Sequence, residues 1–404
     1  MFVISAQASS QQFFSTVSRS AVCLVLPVLM WLSVNLPAQD HKLSDDGSVP
    51  AQSDGEQQNE PDRKKDKKPR ARHGTFVGAP IPLSSPAIGS GIAPVAGYIF
   101  PLVRGDETSP PSVIGGGALF TNNGSRGFVA ASELYFAENL YHVLGGYAWF
   151  DLNYNFYGTG NAAGNAGRKF GLNQTVDGFF VQGTRRFFWR TFIGPRLLFG
   201  TSTLAAQHFG EQHPELPPLN VGFNLRALGF KVERDTAANR FYPVNGTSTQ
   251  FSADFFSGAL GSTFTFQTYS LTFNAYHNLS KNQVIAYNLY ACATGGQAPF
   301  FGECIFGIKN ELRGYPAGRY IDRDMVATQV EYRLTLPRRL GVVAFGGVGE
   351  VGPNFGSFNR HDLLPSVGFG PRFQLSKKYH VNLRIDLAQG KNDRTFSMGI
   401  GEAF

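Results

Sequence analysis

The residues best suited to directed polar chemistry lie at 309–324, KNELRGYPAGRYIDRD. Arg313, Arg319 and Arg323 stand there among Glu311, Asp322 and Asp324. Arg313 belongs to a Leu-Arg-Gly-Tyr tetrad. Gly314 admits left-handed torsions and Pro316 fixes φ, so the turn can hold Arg313 on a bent, ordered backbone. A guanidinium held this way is aimed at something acidic, and it can bind a carboxylate through two parallel hydrogen bonds. Taken alone, the stretch equally fits a surface loop with solvated charges. Enzyme chemistry has no comparable signal. No phosphate-binding loop, zinc-ligand spacing or nucleophile elbow is present, so no catalytic residue, metal or cofactor is expected. His142 sits on a candidate strand without a serine and an acid at matching positions. Cys292 and Cys304 flank the turn-like TGGQAPFFGE. In an oxidising compartment they could pair across a hairpin, or they could remain two reduced, buried thiols.

Composition limits what positions these groups. Of 404 residues, 16% are charged and 14% aromatic, with 37 Phe and 47 Gly. Soluble domains carry about 25% charge. A helical membrane protein needs apolar runs of roughly 20 residues, and here the longest run is 21–34. A mean hydropathy of −0.14 suits a transmembrane β-barrel, whose strands alternate apolar and polar residues. The net charge of +7 is modest for this length, its densest cationic cluster is a short basic run in the N-terminal tail, and it does not imply nucleic-acid binding.

Arg19, the apolar run and Ala38 read as a signal peptide over 1–38 that carries Cys23 away with it. The rival, an uncleaved transmembrane helix, has too short a run. Residues 39–90 read as a disordered periplasmic linker. Its basic run at 62–72 either touches anionic lipid headgroups or is a solvated tether. The remainder, 91–404, reads as the barrel.

Period-two alternation then takes over. Val326, Thr328, Val330, Tyr332 and Leu334 fall on one face, and Ala327, Gln329, Glu331 and Arg333 on the other. A sandwich would also alternate, but a barrel adds aromatics at both strand ends. The count is sixteen, with the first strand at 92–102, the eleventh at 300–308 and the last at 394–404. With both termini periplasmic, odd-to-even connections face outside, which puts 309–324 on the extracellular side. The long, Gly-rich 153–171 is awkward, because parity assigns it to a periplasmic turn. Within it, 158–167 reads as turn or bulge chemistry.

In order and spacing, several motifs resemble the BamA/TamA-type outer-membrane barrel family, also called bacterial surface antigens. They are Tyr154-Asn-Phe-Tyr-Gly-Thr-Gly160, then Asp235-Thr236 with Phe241-Tyr242-Pro243 and Gly246, then Pro299-Phe300-Phe301. Leu312-Arg313-Gly314-Tyr315, Glu331-Tyr332-Arg333, Val367-Gly-Phe-Gly370, Arg384-Ile-Asp386 and Phe404 complete the series. The resemblance implies an all-β, 16-stranded antiparallel barrel. Its sixth extracellular loop, between strands 11 and 12, would fold back into the lumen. Arg313, with Gly314 and Tyr315, would latch that loop to a wall acid, and Glu331 is the candidate. The acid the family often carries on the next strand is replaced by Gly347, which narrows the partner to Glu331. Arg372, Arg384 and Asp386 are expected to form a lumenal charge network. A lateral seam between the first and last strands is implied as well, with Tyr98, Phe396 and the C-terminal Phe404 as its residues.

POTRA domains, which inserting members usually carry, find no room in 39–90. The expected function is non-enzymatic protein or lipid assembly in the outer membrane, with a passive or gated pore as the alternative. Expected partners are outer-membrane lipids, and client outer-membrane proteins or a periplasmic partner, for a barrel that is itself monomeric.

Overall fold

The computed structural model describes residues 74–404 except 86–88, 107, 189, 207–219, 238–241, 309–310 and 377–380. The expected signal peptide, the basic run and Cys23 lie outside the described residues. The first four strands are β1 (Thr75–Ser85), β2 (Gly89–Phe100), β3 (Ser112–Thr121) and β4 (Arg126–Phe136). They continue through β5 (Tyr141–Phe156), β6 (Phe170–Arg186), β7 (Thr191–Ala206) and β8 (Asn220–Asp235) to β9 (Gly246–Phe256), β10 (Phe266–Ser280) and β11 (Gln283–Gly296). A ribbon of β12 (Cys304–Ile305) and β13 (Ile321–Asp322) intervenes. Then come β14 (Asp324–Thr335), β15 (Leu340–Gly352), β16 (Leu364–Ser376), β17 (Val381–Gln389) and β18 (Arg394–Ile400). A short helix, α1 (Asn161–Ala166), lies between β5 and β6.

All strands but β12 and β13 form one sheet of sixteen in strict chain order, each antiparallel to its neighbours. Its edge strands β1 and β18 approach one another, so the sheet curls into a barrel. Between neighbouring strands the backbone groups of the wall are paired, as a lipid environment requires. Packing is inverted relative to a water-soluble protein. On β14, Met325, Ala327, Gln329, Glu331 and Arg333 are buried on the inner face, whereas Val330 and Tyr332 are exposed on the outer one. Leu228, Val367 and Phe369 are likewise exposed. An apolar outer band over a polar interior is the barrel arrangement. No helix among the described residues is long and apolar enough to cross a membrane.

The expected count of sixteen stands, but two of its strands change. Residues 300–308 are not a wall strand; only Cys304 and Ile305 are extended there, paired with Asp322 and Ile321. Pro299 and the aromatic run after it suggested a strand, yet those rings pack inward instead of alternating. Conversely 75–85, assigned to the linker for its Gly, Ser and Pro content, pairs residue for residue with β2. The added strand moves every connection up to 297 by one in parity. The Gly-rich 157–169 therefore joins an odd to an even strand and lies at the same end as the long loop. Short turns at 137–140, 187–190, 281–282 and 336–339 gather at the other end, so the barrel has a long-loop end and a short-turn end.

Candidate functional site: a loop built into the barrel lumen

The connection from β11 to β14 spans 297–323 and turns inward. Its first limb leans on the far wall. Phe300 stacks on Phe156 of β5 at 4.1 Å, and the fully buried Phe301 packs against Phe223 and Phe264 at 5.2 and 6.3 Å. A disulfide then joins Cys304 to Cys292 on β11, with Cα atoms 5.9 Å apart. It bridges the loop to the wall, not two strands of a hairpin. Phe306, Tyr315 and Tyr320 meet edge to face at 5.3–6.4 Å. With Leu312 they cover Tyr290, Met325, Ala327, Val351 and Leu364 of the wall. The loop thus has its own apolar core, which fixes where its tip can sit.

At the tip, Glu311 is buried and accepts the backbone N–H groups of Gly307 and Ile308 at 2.6 and 3.2 Å. Two residues on, the Arg313 guanidinium meets two acids. Its Nη2 is 2.6 Å from Glu331 Oε2 on β14, and its Nη1 is 2.9 Å from Asp386 Oδ2 on β17. Nε donates to Gln329 at 3.0 Å, and the guanidinium carbon lies 3.4 Å from the centre of the Phe345 ring, a cation–π contact out of water. Gly314 has φ +108°, and a Cβ there would come within 3.0 Å of the Gly390 nitrogen, so the turn needs glycine on both counts. The Ser366 hydroxyl donates to the Arg313 carbonyl. Tyr315 Oη donates to the Pro365 carbonyl at 2.6 Å and accepts from Lys391 N at 3.0 Å. Burial pushes that phenol up to about 12.

The charges around Arg313 form one network. Glu331 also receives Arg333 at 2.7 Å and faces Arg372 at 3.7 Å. Asp386 receives Arg372 at 2.7 Å and faces Arg384 at 3.6 Å. Arg372 reaches Glu402 at 2.8 Å. Four arginines thus surround three carboxylate side chains. Exposed ion pairs contribute about 0–1 kcal/mol. Arg313 and Glu331 are 3% and 0% exposed, a setting in which removing one partner costs about 3–5 kcal/mol, because the other is left buried and unpaired.

The residues expected at the latch, Arg313, Gly314, Tyr315 and Glu331, come together here. Asp386, assigned only to a general network, is a direct partner of Arg313. Its signal was the Arg384-Ile-Asp386 alternation, which puts both charges on the inner face. The helix α1 was missed. Its 158–167 segment is not a simple turn but docks the loop from outside: Gly160 N donates to the Ile321 carbonyl at 2.7 Å, and Arg319 Nε to that of Gly164 at 3.1 Å. Tyr320 bonds Asn165, and Arg319 pairs with Asp393.

The seam residues separate. Phe396 lies on the edge strand β18 and is exposed. Tyr98 lies on the second strand and packs against Phe76 of β1 at 4.6 Å, because the extra strand takes the edge. Phe404 is past the end of β18. Its backbone oxygen accepts from Arg333 at 2.8 Å, and its ring lies 5.9 Å from the Arg313 guanidinium. Elsewhere on the inner wall Glu133 takes His142 at 3.1 Å and Tyr135 at 2.6 Å, so His142 sits in a wall ion pair.

Residues 221–404 match the Omp85 superfamily domain. In structure the chain is similar to BamA from Haemophilus ducreyi lacking POTRA domains 1–3, with a TM-score of 0.55 at 14% identity over 81% of this chain and 69% of that one. It is also similar to CdiB from Acinetobacter baumannii, at 0.52 and 12% identity, and to CdiB from Escherichia coli, at 0.52 and 11%. Each covers 81% of this chain, which spans only 60% and 62% of theirs. No curated protein matches the sequence. Residues 221–404 thus carry the match to the Omp85 superfamily domain, and the chain as a whole is similar in fold to the BamA and CdiB barrels.

Proposed function

We propose that this barrel is a non-enzymatic, monomeric device for assembling protein or lipid in the outer membrane, working through the seam between β1 and β18. The segment 1–38 exports it, and the residues ahead of β1 stay in the periplasm. The observation that carries the reading is an asymmetry in the wall. On one side, Arg313 ties the loop to β14 and β17, and Tyr315 ties it to the start of β16 and the 390–393 turn. On the other, no ladder joins β1 to β18 among the described residues. Loop and latch would hold the C-terminal wall rigid while the free edges part, and an edge with few ladder bonds opens at low cost. Clients are outer-membrane proteins or lipids that present a strand or an acyl chain to that edge. A disulfide engineered between one cysteine on β1 and one on β18, in a background without Cys292 and Cys304, tests this. Assembly activity in cells should be lost on oxidation and return on reduction. Unchanged activity in the cross-linked barrel would contradict it.

The gated pore is the second reading, supported by the loop lying in the lumen. It requires ion conductance in planar bilayers that rises on deletion of 311–320. No conductance in either form contradicts it.

A further inference from the structure

The turn between β6 and β7 has the sequence Arg185-Arg186-Phe187-Phe188-Trp189-Arg190, and neither the latch nor the seam uses it. We infer that this turn is a docking site for the anionic headgroup of a membrane phospholipid at the short-turn end of the barrel. Phe187 and Phe188 are 56% and 62% exposed. They extend the lipid-facing band of β6 and β7, where Phe179 stacks on Phe199 at 5.1 Å and Val181 and Leu197 are exposed. On the next turn, Phe136 stacks on Tyr141 at 5.5 Å.

Arg185 and Arg186 end β6 and Arg190 ends the turn, so cations flank the exposed rings on both sides in sequence. Arg185 lies 5.7 Å from the centre of the Phe187 ring; Arg185 and Arg190 are exposed and Arg186 half-buried. None of the three pairs with a carboxylate among the described residues. The nearby acids are engaged elsewhere: Glu233 holds Lys231 at 2.6 Å, and Asp106 accepts from Ser109 and from the backbone of Glu138. The Ser109 hydroxyl and N–H hold Asp106 down at about 2. Arg190 has φ +59°, a left-handed conformation that glycine would adopt without penalty. The turn keeps a strained arginine at its tip.

An apolar wall, exposed aromatic rings and cations beside those rings bring together at one turn the groups that meet acyl chain and phosphate at a bilayer interface. A phosphodiester accepts bidentate bonds from arginine, and each cation at an anionic surface strengthens binding about fivefold. This site is independent of lateral opening.

Native mass spectrometry of the intact barrel, titrated with phosphatidylglycerol or with phosphatidylethanolamine, reads the site. The wild type should favour phosphatidylglycerol. Replacing Arg185, Arg186 and Arg190 together by Gln should lower phosphatidylglycerol binding at least tenfold and leave phosphatidylethanolamine binding unchanged. R190G relieves the left-handed backbone and so keeps the fold, and it should lower phosphatidylglycerol binding about fivefold. The proposal is overturned by unchanged phosphatidylglycerol binding in R190G and the triple variant, or by equal loss of both lipids. Displacement of the lipid by millimolar inorganic phosphate would overturn it too, since the site would then take the free anion.

Discussion

Leu312 occupies the space a side chain at residue 347 would need. A Cβ built on Gly347 would lie 2.6 Å from Leu312 Cδ1 and 2.3 Å from the Thr328 carbonyl oxygen. The acid that the motif resemblance led us to expect on β15 is therefore not simply missing. An apolar loop residue fills its place, and the second carboxylate for Arg313 comes from Asp386 on β17. Gly347→Ala should overpack this contact and cost about 1–3 kcal/mol, with a larger loss for Gly347→Asp. Thermal unfolding on semi-native gels, where folded and unfolded barrels migrate differently, checks both.

The wall was legible because its code is local. Val330 and Tyr332 outside, Glu331 and Arg333 inside, follow from alternation alone. Two kinds of information were not local. The strand at 75–85 is Gly-, Ser- and Pro-rich, so composition hid it; only pairing with β2 shows it. The stretch 300–308, opening on Phe300 and Phe301, looked like a strand, but those rings are loop residues packed against β5 and β8. The two errors offset each other in the count and left a single trace, the misplaced parity of 153–171. The Arg313–Glu331 contact was reached through motif order, whereas Asp386, 73 residues away in sequence, needed barrel geometry.

The two acids that meet Arg313 differ in what their loss strands. Both are buried and each faces three arginines. Without Glu331, the buried Arg333 keeps no other carboxylate side chain within 4.0 Å among the described residues. Without Asp386, Arg313 keeps Glu331, Arg372 keeps Glu331 and Glu402, and only Arg384, at 3.6 Å, loses its acid. Glu331→Gln should therefore destabilise the barrel by about 3–5 kcal/mol and more than Asp386→Asn. The reverse order of melting temperatures would show that the network is centred on β17.

Removal of the disulfide should act on the loop's first limb. Reduction, or Cys304→Ser with Cys292→Ser, frees residues 297–303 from β11 and should cost about 2–4 kcal/mol. Limited proteolysis should then cut first within 297–303, and 311–320 should stay protected by Arg313. Cleavage at 311–320 first would mean that the disulfide, not the ion pair, holds the tip.

The loop should also loosen with rising pH. Burial first, and then the neighbouring Asp322 charge, push the Glu303 carboxyl from its ordinary 4.5 up to about 7, against the opposing pull of Arg323. The folded loop thus holds a proton that the unfolded chain has released. Stability falls as pH rises from about 4.5 to 7 and levels off above. Burial raises Asp322 in the same direction. Amide exchange across 297–308 should speed up through this range, and Glu303→Gln should flatten most of the slope.

The central claim is that Arg313 holds the loop inside the barrel. Hydrogen–deuterium exchange of 311–320 in the wild type and in Arg313→Ala measures this directly. The account predicts slow exchange in the wild type and at least a hundredfold faster exchange in the variant, as follows from losing about 3 kcal/mol or more of docking, with β3–β7 unchanged. Equal protection in the two proteins would contradict it.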